Sequence, residues 1–203
     1  ADIICMISSQ KEYFFKAYQE GKNFLPITQT WPADLETPLS TWLKLSTKDS
    51  HGVFLESVEG GENLGRWSIV ATKPLWEAVC HGDEIVKKWN TGKTEKHQGD
   101  PFHLLRSWTN EYKSYFLSDF PSIGQLYGSW GYELINRIEP SVPINEIEDN
   151  NIPYGSWMFF DQIVVFDQIK RCITAVVYAD TTSSTESSIE KVYLNSISKI
   201  KIT

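Results

Sequence analysis

The spacing of apolar residues divides the chain into segments of helical and of extended periodicity. Apolar residues recur at helical spacing in several segments, which predicts helices over 9–20, 34–45, 101–116, 130–138 and 189–202. Alternating or continuous apolar runs are typical of strands, and they occur over 3–7, 24–30, 124–127, 157–167 and 171–178. Polar residues dominate the remaining long segments, which predicts loops over 92–100, 145–151 and 180–188.

Two further segments combine strand patterns with a central turn. In 52–71 two β-rich runs flank Gly60-Gly61, and in 76–89 two such runs flank His81-Gly82-Asp83. Glycine tolerates the positive φ that tight hairpin turns require, so each segment is predicted to be a hairpin. Strands and helices mix without a regular β–α alternation. This order favours an α+β fold of mainly antiparallel sheet with flanking helices.

Local signals add detail to this prediction. The helix predicted within 34–45 is entered through Thr37, with Pro38 in its first turn. Proline is tolerated in a first helical turn, because the N–H that it lacks would have no partner there. Asp161 and Asp167 bracket a strand, and solvated strand ends are the simplest interpretation of both. No internal repeat or linker divides the chain, so one region over 1–203 is predicted.

Composition excludes several classes of protein. With 41% hydrophobic and 22% charged residues, the 203-residue chain has the composition of a globular protein rather than a disordered one. A net charge of -7 argues against nucleic-acid and anionic-membrane binding, which require a basic face. No apolar run approaches the roughly 20 residues that span a bilayer. The three cysteines are widely spaced, which indicates reduced thiols and a cytoplasmic protein.

The sequence contains no recognisable catalytic or metal-binding motif. The glycines at 60, 61 and 65 do not form a dinucleotide-binding pattern, and no phosphate-binding loop or nucleophile elbow is present. The histidines at 51, 81, 97 and 103 lack the spacing of metal ligands. We therefore predict no catalytic residue, no metal site and no cofactor in this chain.

The segment 54–68 carries the strongest indication of a binding site. Glu56 follows three apolar residues, and a carboxylate beside a buried strand is costly unless a cation pairs with it. A ligand ammonium would supply that cation, Ser57 and turn N–H groups could hold a carboxylate, and Trp67 could pack on an apolar body. These are the components of an α-amino-acid site. The alternative is a plain hairpin in which Glu56 faces water and the glycines only form the turn.

Four segments resemble one known family. They are FLPITQTWPADLETPLSTWLKL at 24–45, FLESVEGGENLGRWS at 54–68, YGSWGYELINRIE at 127–139 and MFFDQIVVFDQ at 158–168. Together they resemble the N-terminal region of anthranilate synthase component I, the chorismate-using enzyme of tryptophan biosynthesis. The second segment is similar to the family's Leu-Glu-Ser signature, which ends in a serine after ten further residues.

The resemblance implies a feedback site for L-tryptophan. Residues that match the family's site are Pro38, Leu55, Glu56, Ser57, Trp67 and Ser68. Three departures stand out: Trp67 replaces a tyrosine or lysine, Gln168 replaces a histidine, and Gly124-Gln125-Leu126 replaces Thr-Gly-Gly. These departures leave open the related aminodeoxychorismate synthase component I, which shares this region and also holds a tryptophan.

The resemblance also implies what lies outside this chain. In the family, the chorismate site, the Mg²⁺ carboxylates and the acid–base residues belong to a C-terminal half, so this chain would be the regulatory part of a two-half fold and inactive alone. The expected partners are that half, L-tryptophan as effector and a glutamine amidotransferase subunit that delivers ammonia. The parent reaction yields anthranilate and pyruvate. A stand-alone amino-acid-binding or scaffold module without catalysis is the alternative from another class.

Overall fold

The computed structural model describes residues 3–48, 51–57, 65–115, 124–143 and 152–202. Its α-helices are α1 (Ile3–Gln19), α2 (Pro38–Leu45), α3 (Pro101–Asn110), α4 (Ile135–Ile138) and α5 (Ile189–Ile202), and a 3-10 helix spans Tyr132–Leu134. The first strands are β1 (Phe24–Pro32), β2 (Gly52–Leu55), β3 (Trp67–Thr72), β4 (Trp76–His81) and β5 (Glu84–Trp89). The later strands are β6 (Thr94–Gln98), β7 (Leu126–Trp130), β8 (Gly155–Phe159), β9 (Gln162–Asp167) and β10 (Cys172–Asp180).

These elements form two compact units, each with its own five-stranded antiparallel sheet. Unit 1 comprises 1–72, 112–123 and 161–203, and unit 2 comprises 73–111 and 124–160. The predicted class, α+β with mainly antiparallel sheet and flanking helices, is confirmed. Neither unit is continuous in sequence, which explains why composition shows no boundary between them.

The sheet of unit 1 has the strand order β1-β10-β9-β3-β2. Helices α1 and α5 pack on this sheet against buried side chains of β1 and β10. They also contact each other, since Phe14 of α1 and Tyr193 of α5 have ring centres 5.0 Å apart. A second apolar cluster lies under α2, where Trp42 and Phe54 pack against buried side chains of β3 and β9. This second cluster supports the strands that carry the candidate site.

The sheet of unit 2 has the strand order β6-β5-β4-β8-β7. Trp76 on β4 and Phe159 on β8 are buried and stacked, with ring centres 5.1 Å apart and planes 2° apart. The predicted hairpin over 76–89 is confirmed as β4 and β5, and Gly82 in its turn has φ +58°. In the described part of the chain, no helix is long and apolar enough to cross a membrane.

Local sequence signals predict the start of α2 correctly. Thr37 is its N-cap and Pro38 its first residue, and Thr37 forms a reciprocal capping box with Ser40. The first four residues of the predicted segment 34–45 therefore precede the helix, and the predicted end at Leu45 is correct. The helix predicted over 101–116 likewise begins at Pro101, behind an Asp100 cap, but ends at Asn110.

Three predictions about strands are wrong for identifiable reasons. The apolar run 3–7 is part of α1, because a short apolar run fits a helix as well as a strand. The segment 92–100 contains β6, a mostly polar edge strand paired with β5, and polar edges carry little apolar signal. The single strand predicted over 157–167 is two strands, β8 and β9, which belong to different sheets. Because β9 is buried at successive positions, its sequence is a continuous apolar run, and the apolar pattern does not show where β8 ends and β9 begins.

The remaining predictions differ in detail or lie outside the described residues. The strand predicted over 124–127 spans Leu126–Trp130, and the helix predicted over 130–138 is the 3-10 helix followed by α4. Strand β1 extends two residues beyond the predicted 24–30, while α5 has the predicted bounds 189–202. The Gly60-Gly61 turn and the loop 145–151 lie outside the described residues.

A buried lysine lies among tryptophans in unit 2. Lys87 on β5 is only 3% exposed, and its Nζ lies 4.7, 4.4 and 4.5 Å from the ring centres of Trp76, Trp89 and Trp108. An ammonium over an indole face is attracted by the ring quadrupole. The three rings therefore partly replace the water that this ammonium loses on burial.

We expect Lys87 to make the stability of unit 2 depend on alkaline pH. Burial lowers the pKa of Lys87, although Glu95 and Glu111 oppose this shift. Between that lowered pKa and the ordinary 10.5, the unfolded chain binds more protons, so stability rises with pH. The free energy of unfolding of the wild type should therefore rise relative to Lys87→Met as pH increases toward 10.5. Urea unfolding measures this, and Lys88→Met, at an exposed site, is the control that should show no such trend.

Candidate functional site

The candidate site lies where β2 ends and β3 begins, in unit 1. These strands pair antiparallel with Gly52 opposite Thr72 and Leu55 opposite Ile69, so the predicted pairing within 52–71 is confirmed. Beyond this ladder, the Ser57 N–H donates to Ser68 Oγ across 3.4 Å. The structure thus brings Ser57, at the end of the Leu-Glu-Ser segment, into contact with Ser68, although ten residues separate them in the sequence.

Ser68 is a buried hydroxyl that two neighbours share. It is 0% exposed, and besides Ser57 it accepts a hydrogen bond from Gln168 Nε2 at 3.3 Å. Gln168 reaches it because β3 pairs with β9, with Ser68 opposite Phe166. Since Ser68 has no accessible surface, its contribution to a site here is to hold its neighbours.

Sequence reasoning missed an ion pair beside this hydroxyl, in which the carboxylate is buried and the guanidinium partly exposed. The guanidinium of Arg66 donates to both carboxylate oxygens of Asp167, at 3.0 and 2.6 Å, and lies 4.4 Å from the ring centre of Trp67. Burial by itself raises the pKa of Asp167, but the hydrogen bonds from Arg66, Lys170 and Ile169 outweigh it, and the pKa lies below the usual 3.8. The ion pair forms because β3 pairs with β9, and the sequence pattern does not show which strands are neighbours.

The expectation that Asp161 and Asp167 are solvated strand ends is therefore wrong. Asp167 is only 4% exposed, and its carboxylate accepts hydrogen bonds from Arg66, Ile169 and Lys170. The side chain of Asp161 is 13% exposed and lies 3.6 Å from Lys199 Nζ, and burial raises its pKa. Both carboxylates sit where the chain enters or leaves β9, and the strands and helix packed around them remove water.

Of the two interpretations of segment 54–68, the structure agrees on Glu56 with the one in which this side chain faces water. Glu56 follows the last residue of β2 and is exposed, as is Leu55 at 50%. Ser57 and Trp67 are partly exposed. Exposure removes the desolvation cost that a cation was needed to offset, but it leaves Glu56, Ser57 and Trp67 accessible to a ligand.

Pro38 occupies a different position from the other five predicted residues. It is buried in the first turn of α2, the helix that packs against β3. Trp42 of α2 lies over Phe54 of β2, with ring centres 6.1 Å apart, and it also lies close to the backbone of Gly52. Pro38 thus belongs to the layer beneath the hairpin, while Leu55, Glu56, Ser57, Trp67 and Ser68 form the hairpin itself.

No metal site is found among the residues that the structure describes. Histidine, cysteine, aspartate and glutamate side chains nowhere gather there in groups of three or more that could hold an ion. The local chemistry is an exposed carboxylate, a hydroxyl, a partly exposed indole ring and an ion pair. These groups can bind a small polar molecule that carries a cationic group and an apolar body.

Comparison with known proteins confirms the resemblance on which the site prediction rests. The chain is 39% identical over 196 residues to anthranilate synthase component 1 of Synechocystis sp., covering 96% of this chain and 38% of that protein. It is 29% identical over 189 residues to anthranilate synthase component 1 of Acetivibrio thermocellus, covering 92% of this chain and 37% of that protein. A third relative of the same name, from Neisseria meningitidis, is 33% identical over 180 residues, covering 86% and 36%.

The chain is thus homologous to the N-terminal portion of anthranilate synthase component 1, and it spans somewhat more than a third of the length of these relatives. A solved structure of anthranilate synthase component I from Streptococcus pneumoniae TIGR4 also matches, with a TM-score of 0.45 and 23% identity, covering 84% of this chain and 36% of that chain. No family model matches the chain.

Proposed function

We propose that this chain is the tryptophan-sensing region of an anthranilate synthase large subunit, with L-tryptophan bound at the β2–β3 hairpin. One observation carries the proposal. The pairing of β2 with β3 and the Ser57–Ser68 hydrogen bond place exposed Glu56 and partly exposed Ser57 at the same end of the strand pair as partly exposed Trp67. The homology to anthranilate synthase component 1 supports the choice of ligand, since these residues match the feedback motif.

Each accessible residue has a role suited to an α-amino acid. The Glu56 carboxylate pairs with the ligand ammonium, and the Ser57 hydroxyl bonds to the ligand carboxylate. Trp67 offers a ring face to the indole, and the exposed Leu55 widens the apolar contact. Pro38 acts through the packing of α2, and Ser68 acts through Ser57, because both are buried.

The remainder of the proposal concerns the whole enzyme. A C-terminal chorismate-binding half would carry Mg²⁺ and the catalytic groups, a glutamine amidotransferase subunit would deliver ammonia, and the products would be anthranilate and pyruvate in the cytoplasm. The names of the relatives favour this branch over aminodeoxychorismate synthase. A stand-alone amino-acid-binding module remains the alternative, and a catalytic half in the natural gene product would exclude it.

Two substitutions in the intact enzyme test the site. Glu56→Gln keeps the shape and removes the charge that pairs with the ammonium, and Ser57→Ala removes a hydrogen bond to the carboxylate. A charge-assisted hydrogen bond contributes about 1.5–3 kcal/mol, so Glu56→Gln should raise the tryptophan inhibition constant roughly ten- to a hundredfold. Turnover of chorismate without tryptophan should stay near the wild-type rate, because an effector acts through a separate site.

Glu20→Gln removes a charge at an exposed position on unit 1 and is the matched control. It should leave the inhibition curve in place. If Glu56→Gln and Ser57→Ala leave the curve unchanged as well, the hairpin is not the tryptophan site. If instead both abolish turnover together with inhibition, the segment is structural or catalytic and not regulatory.

A separate prediction concerns catalysis by residues 1–203 alone. Since the sequence shows no acid–base or metal-binding motif, this chain should form no anthranilate from chorismate, ammonia and Mg²⁺. The fluorescence of anthranilate provides the assay, with a protein-free blank for comparison. Product above that blank, abolished by a point substitution within 1–203, would refute the assignment of catalysis to another part of the enzyme.

A further inference from the structure

A continuous set of hydrogen bonds links the β9 end of unit 1 to the candidate effector site. Asp167 begins it, and its oxygens accept from Arg66 Nε and Nη2 and from the N–H groups of Ile169 and Lys170 at 3.1 Å each. Four donors fix this carboxylate in one place. Because the last two donors come from the turn that follows β9, the carboxylate also fixes the position of Gln168 within that turn.

Gln168 connects the ion pair to the hairpin. Its N–H donates to the carbonyl oxygen of Arg66 at 2.8 Å, and its side-chain amide donates to Ser68 Oγ at 3.3 Å. Ser68 then accepts the Ser57 N–H at 3.4 Å. A hydroxyl oxygen has two lone pairs, and these two donors occupy both of them.

We propose that Gln168 is a positioning residue of the effector site, which holds the Ser57 backbone in its binding position through the Ser68 hydroxyl. The expected effect of Gln168 on tryptophan affinity rests on the proposed function. The positioning of Ser57 by Gln168 does not depend on it. Gln168 is itself exposed, and no ligand contact is needed for this role. In the sequence, Gln168 stands out only because it replaces the family's histidine. Its contact with Ser68 is visible only in the structure.

Removing the amide should weaken tryptophan binding modestly. Gln168→Met keeps the length of the side chain and removes its donor, and an exposed position tolerates the change. The bonds to Ser68 are long, so each belongs to the weaker half of the range for neutral hydrogen bonds. The tryptophan inhibition constant of the intact enzyme should rise roughly two- to fivefold, with turnover in the absence of tryptophan unchanged.

A double-mutant cycle separates positioning from a general structural effect. If Gln168 acts only through the Ser68 hydroxyl, then Gln168→Met should have no further effect on the inhibition constant once Ser68→Ala is present. Additive effects of the two changes would overturn the proposal. Gln29→Met, at an exposed position on β1 of the same sheet, is the control and should leave the inhibition constant unchanged.

Amide hydrogen exchange at Ser57 provides a readout without any ligand. Exchange of the Ser57 N–H should be faster in Gln168→Met and in Ser68→Ala than in the wild type or in Gln29→Met. Unchanged exchange would overturn the inference. Faster exchange in an enzyme that tryptophan does not inhibit would refute the proposed function and leave the positioning of Ser57 by Gln168 supported.

Discussion

Replacing Asp167 by asparagine is expected to lower the free energy of unfolding of unit 1 by about 3 kcal/mol, near the low end of the range for breaking a buried ion pair. The guanidinium of Arg66, whose side chain is 29% exposed, would lose a carboxylate that is 4% exposed. The asparagine amide would also present donors to groups that now donate to Asp167. Partial exposure of Arg66 keeps the expected loss from being larger.

The pH dependence of this effect has a definite sign. The pKa of Asp167 lies below its usual 3.8, so the ion pair stabilises the fold above that value and its contribution is lost as pH falls through the lowered pKa. Urea unfolding at neutral pH should therefore separate Asp167→Asn from the wild type, and the difference between them should become smaller as pH falls through the lowered pKa. Asp34→Asn, at an exposed position, is the control. An equal loss at every pH would show that Asp167 acts by packing and not by charge.

Gly52→Ala is expected to destabilise unit 1 by about 3 kcal/mol, near the upper end of the usual cost of overpacking. A Cβ at this position would lie 2.5 Å from the carbonyl oxygen of Ala71 and 2.8 Å from the Trp42 ring. The first contact is with backbone of the paired strand, so relief requires β2 to move away from β3. The same movement would displace α2 and separate Ser57 from Ser68.

Thermal unfolding and the tryptophan inhibition curve both measure this change. Gly124→Ala is the control, because a Cβ there meets nothing within 4 Å. Gly124→Ala should unfold at the same temperature as the wild type. Gly52→Ala should unfold at a lower temperature and be inhibited less by tryptophan. A Gly52→Ala enzyme with wild-type stability would contradict the close packing of Trp42 on the hairpin.

Sequence predicts features of this fold that depend on neighbouring residues. The Thr37 cap, the start of α2 at Pro38 and the pairing of β2 with β3 each follow from a few adjacent residues. The separation of β8 from β9 does not, because both strands are apolar and the break between them depends on which sheet each joins. Because β9 is buried at successive positions, its apolar run follows that of β8, and the apolar pattern does not show the break between the two strands.

The candidate site shows the same division between local and distant information. The residues Glu56, Ser57 and Trp67 could be proposed from one segment and its resemblance to a family. The contact of Gln168 with Ser68 joins residues 100 positions apart, and it exists only because β3 pairs with β9. The sequence left open whether Glu56 is buried or faces water, because that depends on β2 ending at Leu55.

Direct binding of L-tryptophan to the intact enzyme tests the central claim most directly. Equilibrium dialysis would compare L-tryptophan with indole-3-propionate, which lacks the ammonium, in the wild type and in Glu56→Gln. The account predicts saturable binding of L-tryptophan and at least roughly tenfold weaker binding of indole-3-propionate, with most of that difference lost in Glu56→Gln. Equal discrimination between the two ligands in both proteins would contradict the pairing of Glu56 with the ligand ammonium.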